Sequence, residues 1–298
     1  MFRVIKFHVA LQLLCLFLLS FPIVAAASEM VEIETPQEVG VGKAFFARIT
    51  SWYPLENLTV SWNGKTVKPS VKEDKGKYSA NVLLGIGLRQ ETGAYHIGVT
   101  ASVWGHLRQF GKSVKVVETE FQKETLTVEP KMVIPPDDVL ERIKQERAVI
   151  IETLNIVSPR QRWEFPFSRP VKGKMLSRFG LYRTFNGHTK GRHTGLDFRA
   201  WLGTPIHSMA AGTVVLVGNF YYGGNCAFID HGNGFVSMYA HMSKVFVKEG
   251  DEVGSGQKVG LSGATGRVTG AHLHLATFVL GKVVDPEPFF DGQLKMNN

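Results

Sequence analysis

The sequence predicts a nearly all-β protein in two parts joined by one helix, and three observations carry that prediction. Residues 30–129 alternate apolar and polar side chains with the period of two that a half-buried strand requires. Residues 139–154 instead repeat apolar positions at helical spacing, with charges between them. From Phe165 onward glycine and histidine become dense: 21 of the 31 glycines and seven of the ten histidines lie in this last part.

The chain opens with Arg3 and Lys6, an apolar stretch over 9–24, and Ala25-Ala26-Ala27 ahead of Ser28. This is the pattern of a signal peptide over residues 1–27, so the protein is expected to be exported to the periplasm or cell envelope, or secreted. An uncleaved anchor is the alternative, but a stretch of about 16 apolar residues is short for a span of roughly 20. Cys15 lies inside the leader behind Leu13-Leu14, not behind the small residue that a lipidated cysteine follows. Cys226 then stands alone, so core packing or a metal, not an intrachain disulfide, must stabilise the mature chain.

With 44% apolar and 20% charged residues and a mean hydropathy of −0.01, the chain is not a disordered tail, a collagen or a multispan membrane protein. Its 34 Lys and Arg against 26 Asp and Glu suit an anionic partner such as nucleic acid or a cell-wall polymer. No basic run is dense enough to choose between them, and nucleic acid lacks any aromatic-basic motif.

In the first part, Phe45, Ala47 and Ile49 alternate with Ala44, Phe46 and Arg48, and Leu58, Val60 and Trp62 share one face. Asn63-Gly64 then marks a hairpin, because both residues accept positive φ. Further strand-like runs follow at 77–84, 95–104, 113–118 and 125–128. About seven short strands in roughly 100 residues predict an immunoglobulin-like β-sandwich over 28–130. His96 and His106 read as ordinary strand or loop residues.

Pro135-Pro136-Asp137 breaks the strand pattern and Pro159 ends the helical one, so a linker over 131–164 holds one helix of about 18 residues. Its expected role is to connect the parts and to pack Val139, Ile143, Ile150 and Leu154 on one of them, without chemistry. The remainder, 165–298, is expected to be short antiparallel strands joined by glycine turns.

Two clusters there suggest a site. His193-Thr194-Gly195-Leu196-Asp197 sets an imidazole and a carboxylate four residues apart, and His272-Leu273-His274 puts two imidazoles on one face of a strand. Two histidines and a carboxylate form an open zinc set, with a fourth position for water or substrate. On spacing alone either His272 or His274 reaches such a metal, and a further histidine outside the set can move a proton.

The order of motifs resembles the lysostaphin/LytM-type zinc metalloendopeptidases, which cut peptide cross-links in bacterial peptidoglycan. The resemblance covers about residues 165–290. It runs through Ser177-Arg178-Phe179-Gly180, His193-Thr194-Gly195-Leu196-Asp197, Gly203-Thr204-Pro205-Ile206, Ala211-Gly212-Thr213-Val214, Asp230-His231-Gly232-Asn233-Gly234, Tyr239-Ala240-His241, Gly250-Asp251-Glu252-Val253 and Gly256-Gln257-Lys258-Val259-Gly260 to His272-Leu273-His274. It implies a duplicated-hybrid-motif-like β metallopeptidase domain with Zn²⁺ held by His193, Asp197 and His274. It also implies that His241 and His272 assist the water and stabilise the transition state, with peptidoglycan peptides as the substrate. His231 belongs to the pattern as a structural residue, and His188 and His207 lie outside the site. Two departures stand out: Leu275-Ala276-Thr277 follows His272-Leu273-His274 where an aromatic or apolar residue and Glu are usual. No tyrosine lies between Thr184 and His193, where some relatives place an oxyanion helper.

Two other function classes compete. A catalytically idle wall-binding or hydrolase-activating module would use the zinc structurally, but a structural zinc takes four protein ligands and the resemblance supplies three beside two spare histidines. A biotinyl or lipoyl carrier shares the Gly250-Asp251-Glu252-Val253 turn but needs an exposed lysine on a hairpin, and none corresponds. Cys226, with no histidine beside it, is expected to be buried and inert.

Overall fold

The computed structural model describes residues 30–126, 135–185, 187–290 and 294; the leader over 1–27 lies outside them. The chain is nearly all β, with 49% of the described residues in strands and 9% helical. Among the described residues no helix is long and apolar enough to cross a membrane.

The first part forms two sheets. One orders Glu32–Glu34, Ala44–Ser51, Lys77–Gly85 and Lys72–Asp74; the other orders Glu38–Gly40, His106–Val117, Gly93–Val103, Glu56–Trp62 and Lys65–Val67. Asn63 (φ 47°) and Gly64 (φ 74°) make the expected hairpin, with Trp62 opposite Lys65. Alternation buries Phe45, Ala47 and Ile49 from one sheet and Ile97, Val99 and Ala101 from the other. Trp62 fills the centre, its Nε1 donating to the Gly85 carbonyl at 3.0 Å and its ring edge-on to Phe45 at 5.4 Å. His96 and His106 lie on paired strands of the second sheet, away from any cluster of metal-ligating groups among the described residues.

The last part is built on a sheet of ten strands. Its backbone is the order Met175–Ser177, Leu196–Phe198, Leu273–Val279, Phe235–Val245, Gly224–Asp230, Gly212–Phe220 and Glu252–Val253. Leu196, Phe198, Ile206, Tyr239 and Leu275 pack its core.

The two parts share apolar packing. Phe46, Val82 and Leu84 belong to one cluster with Trp163, Phe167, Phe235, Val279 and Phe289. A β-carbon on Gly85 would stand 2.8 Å from Val284 and 2.9 Å from Val279, so the sheets approach where a side chain would not fit. Lys43 also pairs with buried Asp285 at 2.7 Å. A short strand, Lys123–Leu126, runs parallel to Tyr182–Phe185, which pairs antiparallel with His188–Arg192.

The helix spans Leu140–Asn155, 16 residues, and packs on the last part, as Arg142 Nη2 donates to Asn219 and Glu146 accepts from the Tyr221 amide. Leu154 and Ile150 settle against Phe220, Phe228 and Val236. The helix also borders the groove. Its Ile143, Arg147 and Ile150 line the same cavity as the histidine cluster.

Candidate metal centre and groove

Asp197 and His274 lie directly opposite each other on neighbouring antiparallel strands, and Ala240 flanks His274 on the other side. Leu196 and Leu275, alternating with them, point into the core, which fixes the polar faces outward. Gly195 is required beside them, because a β-carbon there would come within 2.5 Å of the His274 ring and of the Leu275 carbonyl.

His193 is held at both ends. Its backbone amide donates to Leu181 O at 2.9 Å and its carbonyl accepts from Gly180 N at 2.8 Å. The ring lies with Nδ1 2.8 Å from the Arg178 carbonyl, and since a carbonyl only accepts, the proton sits on Nδ1 and Nε2 presents a lone pair. That Nε2 is 3.1 Å from Asp197 Oδ1 and 3.1 Å from His274 Nδ1, and Asp197 Oδ1 is 2.8 Å from His274 Nδ1. Three atoms with more lone pairs than protons therefore converge on one point, an arrangement suited to a shared cation. Mixed imidazole and carboxylate donors match zinc.

Burial on its own would raise the Asp197 carboxyl, but its contacts with His193 and His274 outweigh that and hold it well below the ordinary carboxylate range. The residue stays ionised, as a ligand must. His274 is shifted down chiefly by burial, which favours the neutral, metal-binding ring.

His241 reaches the site through an irregularity. Between the pairs Ala227↔Tyr239 and Asn225↔Met242 the strand register shifts, so Ala240 and His241 oppose Cys226 alone. His241 takes φ 62°, unusual for a residue with a side chain, and the bulge turns its ring toward the metal set, 5.8 Å from the His274 ring and 4.8 Å from that of His272. Its Nδ1 donates to the Thr265 carbonyl at 2.9 Å, which leaves Nε2 as an acceptor. Burial first, then His274, pushes its pKa down to about 4, so the ring is neutral near pH 7. His272 is arranged in the same way, with Nδ1 2.8 Å from the Gly270 carbonyl and Nε2 3.7 Å from Asp197 Oδ1.

The five predicted residues thus line one cavity of about 780 Å³. The other histidines lie elsewhere: His231 is fully buried between Ala211 O and Ser237 Oγ, and His207 sits 3.4 Å from Pro170 O. His188 occupies the strand His188–Arg192. Cys226 is buried and its thiol is pushed up to about 12 by that burial, which removes it as a nucleophile. Groove residues that the sequence pattern did not reveal are Arg183, Arg192, Tyr222, Arg267 and the helix side chains. None has a motif of its own; each arrives by tertiary packing.

Residues 191–286 match the model of peptidase family M23. Over 93 residues, 31% of this chain, the sequence is 47% identical to peptidoglycan DD-endopeptidase ShyA of Vibrio cholerae. Over 99 residues it is 40% identical to DD-carboxypeptidase/endopeptidase Mpg of Neisseria meningitidis. The matched segment spans 22% and 23% of the length of these two relatives. A solved structure of a peptidase M23 from Pseudomonas aeruginosa is 31% identical, with a TM-score of 0.59, and the match covers 78% of this chain and 86% of that one. That likeness runs through most of both chains, and the matched segment contains His193, Asp197, His241, His272 and His274; the chain belongs to peptidase family M23.

Proposed function

We propose that the protein is an exported zinc-dependent endopeptidase that hydrolyses peptide bonds of bacterial peptidoglycan in the cell envelope. Its proposed organisation is a leader over 1–27, a β domain over 28–130, a linker with the helix over 131–164 and the peptidase domain over 165–298. The observation that carries the reading is the pairing of a three-ligand cluster with two histidines whose free Nε2 atoms face the same groove. A structural site would need a fourth protein ligand and no such neighbours. The wall substrate is supported by the names of the relatives, and the basic charge of the chain suits it.

His193, Asp197 and His274 would hold the zinc, which supplies a Lewis acid that polarises the scissile carbonyl and acidifies the attacking water. His241 Nε2, neutral and aimed into the groove, accepts that proton and returns it to the leaving amine. His272, its Nδ1 held by the Gly270 carbonyl, lines the same groove and would assist the attacking water beside His241. The hydrogen bonds to Thr265 O and Gly270 O fix both tautomers, so neither ring has to reorient during the reaction.

The test pairs elemental analysis with digestion of purified sacculi, the fragments being identified by mass spectrometry. One zinc per chain and released cross-link or stem peptides are expected. In His274→Ala, zinc content and cleavage should be lost together. A parent that binds zinc but cuts no wall peptide would instead support an idle module of the same fold.

A further inference from the structure

We propose that Arg183 positions the ligand pair His193 and Asp197 from the edge of the groove, and that Glu124 holds Arg183 in place. The inference rests on these residues being zinc ligands.

Three contacts define the arrangement. Arg183 Nη2 donates to Ser177 Oγ at 2.7 Å and lies 3.9 Å from Asp197 Oδ2, the carboxylate oxygen turned away from the imidazoles. Ser177 Oγ is in turn 3.4 Å from His193 Nδ1, beside the Arg178 carbonyl that already fixes the ring. On the far side, Arg183 Nε donates to Glu124 Oε2 at 3.2 Å. Nη2 therefore meets Asp197 directly and His193 through Ser177 while Nε stays on Glu124, a division of donors across a rigid plane that a lysine does not have.

Glu124 reaches this point because the strand Lys123–Leu126 runs parallel to Tyr182–Phe185, with Glu124 directly opposite Arg183. The approach is clamped. Phe121 packs on Phe179, the Arg192 guanidinium stacks over the Phe121 ring at 4.9 Å, and Gly180 (φ 76°) leaves the space that the ring fills. Glu124, Ser177 and Arg183 all lie outside the segment 191–286 that matches the family model. A chain segment preceding the helix thus completes the support of the site.

The carboxylate has a physical reason. A bare arginine beside a ligand orients the carboxylate but also repels a dication; pairing it with Glu124 cancels most of the repulsion and keeps the orientation. Arg183 and Glu124 are about a quarter and two-fifths exposed, so solvent screens what charge remains.

The test measures zinc affinity by chelator competition and the visible spectrum of the cobalt-loaded protein, for the full-length parent, Arg183→Ala, Arg183→Lys, Glu124→Gln and the double variant Glu124→Gln/Arg183→Ala. Loss of such an outer partner weakens metal binding by about 10- to 100-fold, and that is expected for Arg183→Ala together with an altered cobalt spectrum. Arg183→Lys should fall between. Glu124→Gln should weaken binding less, and should add nothing once Arg183 is gone, since it acts through the arginine. A folded Arg183→Ala with parental zinc affinity and cobalt spectrum overturns the proposal, as does a Glu124→Gln effect that persists in full in the double variant. If Arg183→Ala does not fold, Arg183→Lys and Glu124→Gln decide by the same affinities and spectra. A parent without stoichiometric zinc overturns the reading of the site itself, a different result from any of these.

Discussion

Both parts of the molecule are β-sheets with apolar cores, but they bury different chemistry. In the first part the buried polar side chains among those described are Thr50 and Ser51, and Ser51 simply accepts from the Tyr53 amide and donates to Met30 O. The last part buries His193, Asp197, Asp230, His231, Ser237, His241 and Thr277. Burying such groups is costly unless each is partnered, so a sheet that carries this many either uses them structurally or keeps them for function. Partners separate the two cases. Asp230 is held by Ser158 and the Gly232 amide, and Thr277 by Val284 O. His193, Asp197 and His274 meet mainly one another, and His241 keeps a free nitrogen.

The largest effect expected on that comparison comes from His241→Ala. If His241 moves a proton and does not hold the metal, its loss should lower cleavage of sacculi by about 10²- to 10⁴-fold and leave zinc content and fold intact. Loss of zinc, or full activity, in this variant would move His241 into the structural group.

The contrast also shows what the sequence made legible. Asn63-Gly64 announced a hairpin because the turn chemistry is local, and His272-Leu273-His274 announced two imidazoles in one groove, although the strand begins at Leu273 and His272 joins it only through a bridge to Gly263. The bulge that turns His241 inward has no such signal: Tyr239-Ala240-His241 reads as an ordinary strand, and only pairing with Gly224–Asp230 creates the irregularity. Arg183 and Glu124 lie 59 positions apart, and the helix meets the groove through packing on Phe220 and Phe228. Spacing within one segment cannot express contacts of this kind. The shared core between the parts was hidden for the same reason, because Phe46 lies on a strand of the first part and Phe289 in the short turn Glu287–Phe289 near the other end of the described chain.

A core change in the first part probes the other side of the comparison. Trp62→Ala removes a fully buried ring and the donor to Gly85 O, which should cost roughly 3–5 kcal/mol and lower the thermal midpoint by about 2–4 °C per kcal/mol. Gly85 abuts Val279 and Val284, so the last part should lose stability in the same transition. At temperatures where the variant is folded, its zinc affinity should equal that of the parent. Two separate transitions in calorimetry, with only one shifted, would show that the shared core does not couple the parts.

The smallest expected effect concerns pH, and it isolates a buried histidine with a purely structural task. Burial pushes His231 from an ordinary value near 6.5 down to about 4. Between those values the unfolded chain takes up a proton that the folded chain refuses, so stability falls as pH drops from about 6.5 and the loss is complete below about 4. The shift corresponds to a loss on the order of 3 kcal/mol. His231→Gln should be less stable than the parent at pH 7, because the contacts with Ala211 O and Ser237 Oγ are disturbed, yet it should lose less stability on acidification. Comparing the thermal midpoints of parent and variant at pH 7 and pH 5 cancels the other histidines, which both proteins share. An equal drop in the two proteins would mean that His231 is not the group resisting protonation and that the acid sensitivity belongs to the groove histidines.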